Sequence, residues 1–530
     1  MRQKILFWLI LFAAATAGVW WLLYVPYRPD RVLSAIPADA TFVSVQKDLA
    51  GQLETLARNP VILSALRSGG IQEGDIAGFT TNQALKTWAV RLASDQSVLA
   101  YVPSMGVQHK PAIVFASWIG NQSRLLRWQA AWIKSREFIP VALNEGRSTV
   151  WRIKTDLEKS DLFLSAALSE GLILGCLSSD PIAVNCLLET AEGVPGRLSL
   201  AKTEKPARAK ALISETQPQW GWFEVNGSLV AYHLILDKGP LRLDFAGHQS
   251  LPASRPLLAN KGLKTANNFT STTSDFATIL PLSWLQGITS NESSSLWIQA
   301  LRQLAGTNGV DPEALAFLAL LDQNHNGRLR GPLGSSLGAL IKGVKTPTLL
   351  IGMQLGSASE ANARVQTVIR ELNSRYDYTL KTAPWEAAGD TGITLIEESR
   401  KNFYGSFEPG ERVAYAMADD WFILASNAQV LKQLLESTPN VAPPVIESSG
   451  ANPSAITHLQ LDSLSQTVKT MAGVLKLAAL FNTSQEVVQA RDSLNQAGTW
   501  ANVLGSFGEA HATMSTSGTV FKIQVVIGTP

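Results

Sequence analysis

Asp322-Gln323-Asn324-His325-Asn326-Gly327 is the stretch of this chain whose residue types come nearest to a chemical site. Oxygen-bearing side chains at positions 1, 3 and 5, glycine at 6 and Leu329 at 8 match the first half of a calcium-binding loop. The second half departs from it. Position 12, where a bidentate glutamate should close the cation's shell, is Leu333, and Arg328 and Arg330 add repulsive positive charge. Asp322, Asn324 and Asn326 stand as metal candidates against a competing reading, a polar turn of Asn and Gly that tolerates left-handed backbone. The lead-in reads as a helix, with Asp311 as cap, Pro312 at its first position and Ala314 to Leu321 as its body.

Other chemistry is signalled less. Gly334-Ser335-Ser336-Leu337-Gly338 fits the glycine-x-serine-x-glycine pattern of a nucleophile elbow, but that elbow needs a hydrophobic strand before it. Here Gly327 to Leu333 precedes it, which is no core strand. The histidines are His109, His233, His248, His325, His458 and His511, scattered without metal-ligand spacing. No phosphate loop and no dinucleotide fingerprint occurs, so no cofactor is expected. Cys176 and Cys186 are the two cysteines. Cys176 falls at a strand end and Cys186 in the next helix. They can meet as a disulfide in an oxidising compartment, or stay as buried thiols. Trp118, Trp128, Trp132, Trp151, Trp220 and Trp222 crowd the first half, as an indole-lined groove or as core.

The elements around these residues begin with the N-terminus. After Met1-Arg2-Gln3-Lys4, no charged residue occurs from Ile5 to Val25. About 20 apolar residues suffice to cross a bilayer as a helix. Trp20, Trp21 and Tyr24 lie at the far end, where amphipathic rings favour the interface. A cleaved signal peptide is the rival, with Ala15-Thr16-Ala17 as cleavage site. Against it, the apolar run continues through Val19 to Leu23. Residues 1–27 are therefore expected to be a single-pass anchor in the inner membrane. The basic head places the N-terminus inside and the bulk in the periplasm or outside.

The 530 residues are 46% hydrophobic and 17% charged, enough apolar residue for a sizeable core. The 45 basic and 43 acidic residues leave a net charge of +2, and no basic block lies outside the N-terminus. Nucleic acid is therefore not an expected partner.

Two long halves of the chain resemble each other. Pro111 to Gly120 and Pro347 to Gly356 are apolar runs bracketed by proline and glycine, and an amphipathic helix follows each. In the first helix Leu125, Trp128 and Trp132 share a face; in the second Val365, Val368 and Leu372 do. Leu172 to Asp180 before Ile182 to Glu189 matches Trp421 to Asn427 before Val430 to Glu436: strand, polar cap, helix. Asp180 and Asn427 are the expected caps. Trp220 to Asn226 pairs with Ala455 to Asp462, and Leu241 to Phe245 with Val520 to Val526. The last of these forms a hairpin with His511 to Met514 across Ser517-Gly518. The openings pair loosely, Ile36-Pro37 with Leu280-Pro281. The expected domains are 28–250, a linker at 251–275, and 276–530. The expected fold class is α+β: an N-terminal transmembrane helix followed by two duplicated α+β domains, with mostly antiparallel sheet and helices packed on it.

An N-terminal apolar span followed by Ile36-Pro37-Ala38-Asp39-Ala40-Thr41-Phe42-Val43-Ser44-Val45 resembles the opening of a family of exported bacterial proteins known only as a domain of unknown function. Strand-cap-helix units such as Asp419 to Asn427 are similar too. The resemblance implies an envelope location and a non-catalytic role, and brings no active-site residues. The expectation is a membrane-anchored, non-enzymatic binding or scaffold component with protein partners in the envelope. The alternative is a carrier or sensor of a hydrophobic or glycan ligand held between the two lobes.

Overall fold

The structure is a computed structural model. Apart from short breaks, it describes residues 24–68, 81–93, 95–130, 138–144, 148–153, 161–213, 218–248, 274–287, 313–321, 345–398, 409–436, 453–469 and 501–528, with a few isolated positions besides. The chain divides into two compact units. The first runs to His248, and Ser64–Gly70 and Pro240–Arg242 belong to the second with everything from Gln249.

The first unit is built on β1 (Phe42–Lys47), β2 (Gln96–Met105), β3 (Lys110–Trp118), β4 (Phe138–Asn144), β5 (Ser148–Ile153), β6 (Phe163–Ser169), β7 (Leu172–Ser178), β8 (Gln219–Val225), β9 (Ser228–Leu236) and β10 (Leu241–His248). Their hydrogen-bonded order is β4-β5-β6-β7-β3-β2-β1-β8-β9-β10. Alternation decides which side is core. On β2, Val98, Ala100 and Val102 are buried while Leu99 and Tyr101 point the other way and stay exposed. The buried side meets helix Val184–Glu192 through Val184, Leu187 and Leu188.

The second unit carries β11 (Ser274–Pro281), β12 (Leu315–Leu321), a two-residue pair β13 (Gly327–Arg328) and β14 (Lys345–Thr346), then β15 (Leu349–Gln354), β16 (Leu380–Pro384), β17 (Thr394–Glu398), β18 (Ala414–Ala418), β19 (Trp421–Ala425), β20 (Ala455–Gln460), β21 (Glu509–Ser517) and β22 (Val520–Ile527). With the small pair set aside, the order is β16-β17-β18-β19-β15-β12-β11-β20-β21-β22. This is the same succession of strands as in the first unit. Here helices cover both faces of the central strands. Helix Ala428–Glu436 seals the Phe317, Trp421 and Ile423 side. Helix Ala358–Tyr376 lays Val365, Val368 and Ile369 on Ile351, Met353 and Phe422 on the other. Tyr415 Oη donates to Asn362 Oδ1 at 3.1 Å and fixes that helix to the sheet.

Four expectations are corrected. The fold class is not a transmembrane helix with two separate α+β domains, because twenty of the described strands belong to one large antiparallel sheet. Alternation in a sequence says which residues extend. It does not say which strand edges, with their free N–H and C=O groups, find partners.

The single-pass membrane anchor, and with it the inner-membrane and periplasmic placement, is corrected as well. Among the described residues no helix is long and apolar enough to cross a membrane. The longest helix with both ends described, Ala358–Tyr376, carries Glu360, Arg364, Arg370, Glu371 and Arg375. Most of Ile5 to Leu23 lies outside the described residues. Val25, counted as the end of the span, is buried in the first unit's core, and its N–H donates to Asn121 Oδ1 at 2.6 Å.

The helix expected over Ala314 to Leu321 is strand β12, paired with β11 and β15. Its run Leu-Ala-Phe-Leu-Ala-Leu-Leu has no polar face, so neither period is visible, and a central strand buried on both faces has that pattern. The paired openings are corrected too: Ile36-Pro37 precedes β1, whereas Leu280-Pro281 ends β11.

Candidate functional site

The chemistry gathers where the sequence shows no motif. Hairpin β21–β22 closes Ser517 against Val520, and Gly518 takes φ +60° at the first turn position. A two-residue hairpin of this kind needs that conformation, which glycine adopts without strain. The turn fixes the register of β21, so Glu509 and His511, two residues apart, share one face. Strand β20 pairs along the other edge of β21, with His458 opposite His511 and Gln460 opposite Glu509.

The two imidazoles stack with centroids 4.7 Å apart and planes 24° from parallel. Glu509 Oε2 lies 3.6 Å from His511 Nε2 and 3.9 Å from His458 Nε2. Gln460 Nε2 donates to the other oxygen, Glu509 Oε1, at 2.9 Å. One ligand atom from each of His458, Glu509 and His511 falls within 4.8 Å of the others. Burial holds His458 below its ordinary pKa, His511 adds to this, and Glu509 opposes it. The hydrogen bond from Gln460 is the main cause that holds the Glu509 carboxyl low, with both imidazoles contributing and burial working against it. A neutral imidazole beside a carboxylate can accept a proton or coordinate a metal.

No protein-family model, no curated protein and no solved structure matches this chain.

The residues named from the sequence are placed differently. Asp322, Asn324, Asn326 and Ser336 lie outside the described residues. Cys176 and Cys186 are free thiols, both buried and both in the first unit's core. Burial pushes Cys176 up to about 12, with Cys186 and Asp180 adding to it. Burial also raises Cys186, against Arg197 and a hydrogen bond from the Gly106 backbone. Cys186 shares a cavity of about 390 Å³ with Asp39, Ser104, His109 and Arg197. Trp118, Trp220 and Trp222 are core. Trp220 also edges a second cavity, of about 450 Å³, with Tyr27, Asp48, Asp95 and Lys210.

The first unit also presents an apolar surface. Leu99, Tyr101 and Ile113 are 42%, 41% and 46% exposed on the face of the sheet away from helix Val184–Glu192. Tyr101 faces Ile113 across β2–β3 and Phe42 across β2–β1. Phe42 stacks on Tyr232 at 5.9 Å, and Phe223 meets Phe245 at 6.1 Å.

Sequence reading misses the His458–Glu509–His511 cluster because its halves are some fifty positions apart. The available signal is the alternation that puts Glu509 and His511 on one face of a strand. The partner strand that brings His458 leaves no local mark.

Proposed function

We propose that the protein is a non-enzymatic binding or scaffold component that docks a partner protein on the apolar sheet face of its first unit. The observation that carries this reading is the contiguous exposure of Leu99, Tyr101 and Ile113, continued by Phe42. Such a patch on one sheet face marks an interaction surface, where scattered single apolar residues do not. The second unit indicates the kind of occupant. There, the apolar stripe of an amphipathic helix covers the sheet face turned away from helix Ala428–Glu436. The partner is therefore read as a protein presenting an amphipathic helix, docked through residues three and four apart. Burying a side chain of this size fully is worth about 1.5–3 kcal/mol, so three supply the core of a specific contact.

The test is to isolate the native protein with what it binds and measure the mass and composition of the complex. The variant Tyr101→Asp/Ile113→Asp should melt as the parent does and lose the stoichiometric partner. A lone monomer from the parent chain, or a partner retained by the variant, would remove the reading.

A second reading, carriage of a glycan-type ligand, is supported by the 450 Å³ cavity of the first unit. Tyr27 offers a ring face there, Trp220 lies in its wall under Lys210, and Asp48, Asp95 and Lys210 offer hydrogen-bonding groups. Trp fluorescence titrated with oligosaccharides tests it. An unmoved spectrum up to millimolar sugar sets it aside.

A further inference from the structure

We propose that His458, His511 and Glu509 form a binding site for a divalent transition-metal ion of the zinc type. The donor set argues for that class. Two imidazole nitrogens and one carboxylate oxygen suit zinc and its neighbours, whereas calcium and magnesium take oxygen shells.

The geometry argues for it next. In a tetrahedral site with bonds near 2.0–2.2 Å, donor atoms stand roughly 3.3–3.6 Å apart. Here the carboxylate oxygen lies 3.6 and 3.9 Å from the two imidazole nitrogens. All three ligand atoms lie within 4.8 Å of one another, and the stacked imidazoles, as well as the exposed carboxylate, turn to converge on one ion. The carboxylate is already oriented for it. Gln460 holds Oε1, which leaves Oε2 turned to the histidines, the role an outer-shell partner plays at a metal site.

The setting supplies rigidity and an apolar flank. His458 lies opposite Ala277 of β11, and His511 opposite Val526 of β22. The row Ala277, His458, His511, Val526 therefore runs across four paired strands, with no cation beside the imidazoles in that row. A purely electrostatic role leaves the arrangement half explained. Two stacked imidazoles beside one carboxylate bring three donor atoms together, one more than an ion pair uses. A shared dication accounts for both rings and the carboxylate together.

Nor does the fold require these residues. In the first unit, β8 and β9 set Trp220 opposite His233, Trp222 opposite Ala231 and Glu224 opposite Leu229. None of those pairs gathers two imidazoles and a carboxylate. Three protein ligands, two of them half exposed, leave a coordination position open to water or to a group of a bound partner. The ion would also staple β20 to β21.

The experiment uses the full chain without a polyhistidine tag, stripped with chelator and titrated with Zn²⁺ by calorimetry and with Co²⁺ by visible absorption. The expected result is one ion per chain, a d–d band from cobalt, and displacement of cobalt by zinc. His458→Ala/His511→Ala should abolish both signals. The exposed, isosteric Glu509→Gln preserves the strand. Loss of an outer-shell partner costs ~10–100-fold in affinity, and loss of a ligand should cost at least as much. Gln460→Leu should fall within that range. Mutation of His109 and His248 should change nothing. The proposal is overturned if the parent chain takes up no stoichiometric zinc at micromolar concentration. It is equally overturned if Glu509→Gln and the folded double-histidine variant bind zinc as the parent does.

Discussion

Strand β12 is the element on which the sequence-based expectation and the structure differ most sharply, and one pair of residues tests it. Phe317 of β12 lies opposite Gly352 of β15. Its ring is 1% exposed and packs on Trp421 at 5.2 Å. A methyl group added at Gly352 would overlap the Phe317 ring. Gly352 has no positive φ, so alanine meets no backbone strain there and the whole effect is steric.

Phe317→Ala should cost about 3–5 kcal/mol, as truncation of a buried aromatic does. Gly352→Ala should cost about 1–3 kcal/mol as overpacking, near the upper end because the ring is enclosed. In Phe317→Ala/Gly352→Ala the new methyl enters the space the ring has left. The double variant should then cost about what Phe317→Ala costs alone, leaving a coupling of roughly 1–3 kcal/mol. Urea unfolding of the four proteins measures the cycle through the midpoints at constant m-value. Additive single effects, or a neutral Gly352→Ala, would refute the pairing. A helix over these residues would carry Phe317 away from Gly352 and give that additivity.

Four further outcomes are expected. Asn427 Oδ1 accepts from Val430 N at 3.0 Å, so Asn427→Ala should destabilise by about 0.5–2 kcal/mol while Asn427→Ser keeps most of the cap; equal losses in thermal melts would refute this. Gly171 has φ +79° and abuts the Trp118 ring, so Gly171→Ala should lower the melting temperature and blue- or red-shift Trp emission; an unchanged melt counts against the packing. His458 and Glu509 both have lowered folded-state pKa values, so on acidification the unfolded chain binds protons first. Stability should be full above 6.5, the ordinary histidine value, and fall below it, then fall again below 4.5, that of the carboxyl; His458→Gln should flatten the first step in melts across pH, and an unchanged slope would refute the assignment. Cys176, 1% exposed and with its thiol near 12, should resist iodoacetamide at pH 8 while Cys186, at a cavity wall, reacts first; peptide mass spectrometry reads the order, and equal rates at the unfolded pace would contradict it.

Which parts of this fold a reader could see in the sequence follows from how local their causes are. Pro111 to Gly120 and Pro347 to Gly356 are legible as strands because short apolar runs between chain-breaking residues have few alternatives, and they hold β3 and β15. Asn427 is legible as a cap, since the donor it satisfies is three residues away. Asp180 looks the same in sequence and behaves differently. Its Oδ1 accepts from Ile182 N in a turn, and the helix begins only at Val184. Leu315 to Leu321 is illegible because burial on both faces erases periodicity. Val25 is illegible because an apolar residue looks alike whether lipid or a protein core receives it. The His458–Glu509–His511 cluster is illegible because a register between distant strands creates it.

The repeated strand order gives a way to separate residues that serve the fold from residues that serve something else. Both units run the same succession of ten strands, so whatever that scaffold requires should occur in both. A helix on the inner face does: Val184–Glu192 in one, Ala428–Glu436 in the other. The outer face is different. The second unit covers its own with Val365, Val368 and Ile369, while the first covers only the Ser97–Ser117 end, with helix Gln83–Ala93, and leaves Leu99, Tyr101 and Ile113 in solvent. The strand pair β8–β9 buries Trp222 opposite Ala231, while β20–β21 holds two histidines opposite each other. Because the scaffold tolerates either choice at each place, stability of the shared fold does not account for an exposed apolar face in one copy or an imidazole pair in the other. These asymmetries are where binding is to be sought, and each lies in a single unit, so each can be removed without disturbing its counterpart. Tyr101→Asp/Ile113→Asp should therefore leave zinc uptake intact, and Glu509→Gln should leave partner docking intact when the metal is absent. Loss of both properties in either variant would mean that the two surfaces are one functional site and that the copies have not divided the work.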